Sequence, residues 1–505
     1  MFSLLKMSHA QDSNTYSKGS ASPHSSSENS EPSVEHYTPS AHLDHGHLEA
    51  QEEEQEEIGE PVSRQSTMLQ RLQSRHSFFS DRIQKQRTGL YLSFLKVYLI
   101  IAIGCLSVFS IYWGSFYRRD TRTKNLRMLV VLEDQEVDNI PPIYGNQMRE
   151  LLATPYARLL GDWHIFNNTE FEQTALEHNN TVEEEVIRQI HHQQYWSSIY
   201  VKQNTSYDIY NALANGQFFN ASNATYSYYE TGRHLTSMSM IVQSVEAVQS
   251  AWLDSNLVMT EIIRLDNVAL DNENSINTVT QSLGFQFVDR IPLTNDVLIA
   301  SLQIGLLYLV IVSFFSFNFF DTVHKSVAQL IKKPHFLLYR TLSSIVSYFV
   351  ISLMFGLVTL AFQVDFTVTF GKSGFLVYWM VTFLTMWTVG LASELAALML
   401  IPIYPPLLGF WLIFWVIVNI TPSFTPIALL PQFFRYGYAM PLHNAFEIYC
   451  VIFFNTYKGQ FGRNIGIIFA WVVVLTALTP LTLIYFGKTM AKKAAKAAQA
   501  AEKEK

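Results

Sequence analysis

The chain has 505 residues, 49% of them hydrophobic and 14% aromatic, with a formal net charge of −7. A mean hydropathy of +0.12 is too high for an ordinary soluble domain and too low for a chain embedded along its whole length, which leaves a membrane protein carrying soluble parts. The two cysteines, Cys105 inside one hydrophobic stretch and Cys450 near another, exclude a disulfide framework in those parts.

The tail through about Ser63 is rich in Ser, Glu, His and Gln and carries the acidic run Glu52–Glu57, a composition that predicts disorder. His42, His45 and His47 read as solvated histidines of a flexible segment, and no metal site is expected. Between Arg64 and Arg87 the charge turns basic around Phe78, Phe79 and Ile83, the pattern of a segment lying on anionic lipid or of a topogenic signal. Ser66, Ser74 and Ser77 beside those arginines are candidate phosphorylation switches.

The first apolar span, Leu90–Trp113, starts too late and runs too long for a cleavable signal and reads as an uncleaved anchor. Five N-glycosylation sequons follow, at Asn167, Asn179, Asn204, Asn220 and Asn223, and mark residues 114–296 as a lumenal or extracellular domain. A sixth, Asn419-Ile-Thr421, sits at a helix end. Within the domain, Asn125–Leu132, Tyr195–Val201 and Thr225–Tyr229 predict strands, whereas Gln147–Leu160 and Leu235–Leu265 carry helical spacing. The domain is therefore expected to be mixed α/β, with its aromatic residues as core.

Four further spans are clear: Val297–Phe317, Leu342–Phe362, Phe375–Ala397 and Ile465–Phe486. A shorter one, Leu407–Ile420, begins after Pro402, Pro405 and Pro406 and ends before Pro422. Lys325, Lys332, Lys333 and Arg340 between the second and third spans, with Lys488, Lys492, Lys493 and Lys496 in the tail, put both segments in the cytosol. Counting back sets the amino terminus inside and the sequons outside. The expected fold is a polytopic α-helical membrane protein of six transmembrane helices. A mixed α/β extracellular domain is inserted between helices 1 and 2, behind a disordered N-terminal tail.

No catalytic constellation or cofactor motif is found, so no enzyme is expected. Gly371-Lys-Ser373 imitates the end of a phosphate-binding loop, but the upstream glycine position holds Phe366. Glu394, in the fourth span among Ala392, Ser393, Ala396 and Ala397, should face other helices or a wet cavity, or else lie solvated at the cytosolic interface. The segment 422–445 is too apolar for a free loop and too rich in proline for a span, and is expected to form re-entrant half-helices with Arg435 at their boundary.

Met128–Asp134, the Tyr195-Trp196 region, Pro431–Pro441 and the order of one anchor, an outer domain and five spans together resemble the fungal nitrosoguanidine-resistance membrane proteins over roughly Leu90 to Lys488. The membrane part of that family resembles type-2 ABC-exporter permeases and bacterial phage-infection-protein relatives. The resemblance implies a plasma-membrane protein of drug and mutagen resistance, with the endoplasmic reticulum as the alternative location. It implies either export of an amphipathic small molecule or lipid, or non-transporting regulation of lipid distribution or of another transporter. Membrane lipids are the expected partners, with a homo-oligomer or a separate protein beside them, and nucleic acid is not.

Overall fold

A computed structural model of the protein describes residues 78–81, 84–255, 257–265, 270 and 272–503. The expected tail disorder, the His42, His45 and His47 cluster and Ser66, Ser74 and Ser77 lie outside the described residues. Helix α1, Gln84–Phe116, opens on the polar Gln84–Thr88 and is mainly apolar beyond it, and only 6% of its most apolar window is buried within the protein. Its side chains are therefore suited to lipid.

An α/β domain follows. Strand β1 (Arg127–Leu132) leads through helices α2 (Ile143–Ala153) and α3 (Pro155–Leu160) to β2 (Asp162–Asn167). Helices α4 (Asn168–Glu177) and α5 (Val182–His191) lead to β3 (Ser198–Val201), α6 (Thr205–Asn215) to β4 (Thr225–Tyr229), and α7 (Met238–Ser255), α8 (Leu257–Leu265) and α9 (Glu273–Thr280) to β5 (Gln286–Asp289). The sheet order is β2-β1-β3-β4-β5, parallel except between β3 and β4. Both faces of β1 are covered: Val130 and Leu132 pack against α2, α6 and α7, while Leu129 and Val131 pack against α4 and α5. That two-sided burial explains why Met128–Leu132 is an unbroken apolar run.

Local chemistry divides a helix that its spacing predicts as single. Pro155 lacks an N–H, so the Gln147–Leu160 pattern breaks there, and Thr154 Oγ1 caps α3 by accepting from the Ala157 amide at 3.3 Å. The Leu235–Leu265 pattern is helical over Met238–Ser255 and Leu257–Leu265, with residue 256 outside the described residues. Strands β2 and β5 carry half-buried rather than buried patterns and lacked a clear signal.

The starts of β1 to β3 and the ends of β4 and β5 face the helical bundle, because β1 follows α1 and β5 precedes the second span. Asn167 closes β2, Asn204 follows β3, and Asn220 and Asn223 precede β4, so these four lie at the far end of the sheet. Asn179 occupies the turn between α4 and α5. Asn167, Asn179, Asn220 and Asn223 are exposed and Asn204 is half-buried, whereas Asn419 is fully buried in the bundle.

Among the described residues six helices are long and apolar enough to cross a membrane. After α1 they run through α10 (Gly305–Leu330, entered by a π turn at Ala300–Ile304), α11 (Lys333–Ala361), α12 (Gly374–Leu400), α13 (Leu407–Phe424) and, after the shorter α14 (Pro441–Phe454), α15 (Phe461–Lys503). The expected loop between the second and third spans is instead helix on both sides of a turn at Ile331–Lys332. The apolar span sets only the bilayer portion, and the backbone keeps its i to i−4 hydrogen bonds beyond it. Arg340, counted above as a loop charge, accordingly lies inside α11.

Helix α12 is the axis of the bundle, touching α10, α11, α13, α14 and α15. Gly390 lets α11 approach, since a Cβ there would stand 2.4 Å from the Tyr348 ring and hydroxyl. Tyr348 is 3% exposed and has no free space to yield. Gly390→Ala should therefore lower the melting temperature of the purified protein, by the equivalent of about 1–3 kcal/mol. Gly409→Ala, whose added Cβ meets nothing within 4 Å, should leave it unchanged; equal melting of the two variants would contradict this packing.

Candidate ligand cavity and intramembrane ion pair

The segment after α13 solves a backbone problem. At about 21 Å its helix α14 is shorter than the roughly 30 Å bilayer core, and it is entered through two 3-10 turns, Ile427–Leu429 and Gln432–Ala439. Side chains supply the donors these carbonyls need: Trp471 Nε1 to the Ala439 carbonyl at 2.6 Å, Asn444 Nδ2 to Tyr438 and Met440 at 3.0 and 2.8 Å, and His443 Nδ1 to Pro422 at 2.9 Å. Irregular backbone at membrane depth is tolerated where protein satisfies it in this way.

The α/β domain sits directly on this segment. Thr236 Oγ1 donates to the Phe424 carbonyl at 3.1 Å, and Leu429 packs against Leu126, Met128 and Ile241. Gly232 permits a close approach, since a Cβ would meet Phe454 and Ile291 at 2.6–2.8 Å.

Between domain and bundle lies a cavity of about 400 Å³. Trp196 and Arg233 line it from the domain, Tyr438 and Phe446 from the irregular segment and α14, and Arg463 and Asn464 from α15. Two stretches that carry the family resemblance, Tyr195-Trp196 and Pro431–Pro441, thus meet at one cavity from positions more than 200 residues apart in sequence.

Glu447 is the cavity's carboxylate. Its Oε2 accepts from Asn464 Nδ2 at 2.6 Å and lies 3.5 Å from Arg463 Nη2. Because the Pro422 carbonyl can only accept, His443 carries its hydrogen on Nδ1, and Nε2 faces Glu447 Oε1 at 3.3 Å. That contact is attractive only with a proton between the two atoms. Arg233 donates to the carbonyls of Tyr195 and Gln193 at 2.6 and 3.2 Å, and its guanidinium lies 3.6 Å over the Trp196 ring. Burial pulls its pKa down to about 10, against the pull of Glu230 and Glu447, so it stays charged at neutral pH. His234, 6% exposed, is pulled down to about 3 by burial and then by the neighbouring His443 and Arg119, so it is neutral there.

The second polar feature lies deep in the bundle. Glu394 is 2% exposed, with Oε1 2.7 Å from Arg340 Nη2 and Oε2 accepting from Ser344 Oγ at 3.2 Å. The Arg340 contact is an ion pair without a well-aligned hydrogen bond at Oε1. Both residues lie about 10 Å from the ends of their helices farthest from the α/β domain. Glu394 thus faces helix α11 rather than solvent. Arg435 is exposed on the Gln432–Ala439 turn and does not line the cavity.

Sequence reading missed Arg233, His443, Glu447 and Arg463. A signal existed for two of them: His443 and Glu447 stand four residues apart in the otherwise largely apolar Pro441–Phe454.

Removing one partner of a buried ion pair strands the other charge, at about 3–5 kcal/mol, whereas replacing both with apolar groups of similar volume is often neutral. Arg340→Met and Glu394→Leu should each sharply reduce folded protein in fluorescence-detected size-exclusion chromatography, and the double variant should recover it. Single variants that elute and melt like the parent would contradict a structural pair.

Residues 97–477 match the family model described as a protein of unknown function, DUF3533. The chain is also 33% identical over 437 residues, 84% of its own length and 86% of the relative's, to an uncharacterized endoplasmic reticulum membrane protein of Saccharomyces cerevisiae. No solved structure matches it. With that match running from α1 into α15 and enclosing both the cavity and the ion pair, the chain belongs to the DUF3533 family of membrane proteins.

Proposed function

We propose that this chain is a permease-like protein of the endoplasmic reticulum membrane that takes up an amphipathic small molecule or lipid in the junctional cavity and releases it on the side of the α/β domain. The single observation that carries this reading is the cavity itself, which combines charged groups with Trp196, Phe446 and Tyr438 at the level where a half-helix meets the bundle surface. Small-molecule sites are commonly of this size, and here charged and polar groups take about as much of the lining as the apolar wall. Drug or mutagen resistance is the cellular effect such movement would have.

The α/β domain is assigned to the lumen. Four exposed sequons support this, as do Lys325, Lys332 and Lys333 at the opposite end of the bundle and the lysines that end α15. The name of the yeast relative supports the endoplasmic reticulum over the plasma membrane.

The test is movement without other proteins. Purified full-length chain in liposomes carrying a fluorescent phospholipid should speed its exchange between leaflets several-fold over protein-free liposomes, read by dithionite quenching. Ligand retention without any movement would replace transport with non-transporting regulation of lipid distribution or of another transporter.

A further inference from the structure

The charges around the cavity do not balance. Glu447 is matched by Arg463 at 3.5 Å and further held by Asn464, with His443 Nε2 lying 3.3 Å away. Arg233 forms no ion pair among the described residues; it donates to two neutral carbonyls and lies over the Trp196 ring. Glu230 and Glu447 act on it only through space. A partly buried cation without a counter-ion is costly, and a structure keeps one where something else gains from it.

The way Arg233 is held suggests what gains. Two of its five N–H donors are fixed on the Gln193 and Tyr195 carbonyls, and the plane is laid on Trp196, so the remaining donors form a fork of fixed orientation. Such a fork matches the paired oxygens of a phosphate in a way a lysine does not. Phe446 and Tyr438 add apolar wall beside it.

We propose that the cavity is a binding site for a phosphate-bearing anion, with the Arg233 guanidinium as its receptor and the apolar wall accepting the body of a lipid. This rests on the reading of the cavity as the ligand site and names the chemistry of the ligand. A phospholipid headgroup and soluble phosphate share that chemistry.

The experiment titrates the purified full-length protein in neutral detergent with phosphatidic acid, phosphatidylcholine or inorganic phosphate and follows adducts by native mass spectrometry. Phosphatidic acid should bind at one site more tightly than phosphatidylcholine. Arg233→Ala should weaken it at least about tenfold, and Arg233→Lys by a smaller factor, because the charge stays and the fork is lost. Glu447→Gln removes negative charge from the same cavity and should tighten binding, an effect a purely structural Arg233 would not give. Inorganic phosphate binding as tightly as the lipid assigns the site to soluble phosphate; its failure beside bound phosphatidic acid assigns it to the lipid. Unchanged affinity in Arg233→Ala, or in Arg233→Lys if the alanine variant does not fold, overturns the proposal, as does weakened binding in Glu447→Gln. Absent anion binding with preserved movement of a neutral amphiphile sinks this site alone; anion binding without movement sinks the transport reading alone.

Discussion

The carbonyl of Pro422 is the point from which the domain side of this molecule is built. It lies in the last turn of α13, where a helix leaves its carbonyls unpaired, and the residue four positions on that would ordinarily donate to it is Pro426, which has no N–H. His443 supplies the missing donor at 2.9 Å. One hydrogen bond therefore ties the end of a spanning helix to the first turn of a half-helix and fixes which nitrogen of the ring carries hydrogen.

The remainder of the cavity follows from that tautomer. With Nδ1 committed, Nε2 turns to Glu447, and Glu447 reaches Asn464 and Arg463 at the start of α15. Three helices are thereby locked around one carboxylate. The α/β domain closes the top through Gly232 against Phe454 and Thr236 against the Phe424 carbonyl, bringing Arg233 over the same space. Farther from the domain, Arg340 and Glu394 join α11 to α12, beside the close packing of Tyr348 on Gly390. The two polar sites are linked by the buried axis of α12, where Thr382 Oγ1 meets Tyr449 Oη of α14 at 2.8 Å.

Much of this architecture was legible because bilayer thickness acts on sequence directly: runs of about 20 apolar residues marked five of the six candidate spanning helices, a shorter run between prolines marked α13, and further prolines marked the irregular segment after it. The run Met128–Leu132 announced a strand buried on both faces, whereas β2 and β5, only partly covered, left no comparable pattern. Glu394 stood out as a charge among apolar neighbours, but its partner did not, since Arg340 sits among basic residues that read equally well as a topogenic cluster. Arg233 was illegible for another reason. An arginine in a polar loop is ordinary in sequence, and only the fold shows that a half-helix from the far end of the chain has taken away its water.

The proposed ligand site requires the chain to dip into the membrane from the domain side between α13 and α15. Single cysteines at Phe433 and Arg435, which are exposed, and at Phe434, which is 3% exposed, would report this in a protein with Cys105 and Cys450 replaced. In sealed microsomes carrying these variants, a membrane-impermeant thiol reagent should label positions 433 and 435 only after the vesicles are opened and should spare position 434 throughout. Labelling of 433 and 435 in sealed vesicles, or equal labelling of all three positions, would contradict the proposed lumenal placement of this segment and the cavity built upon it.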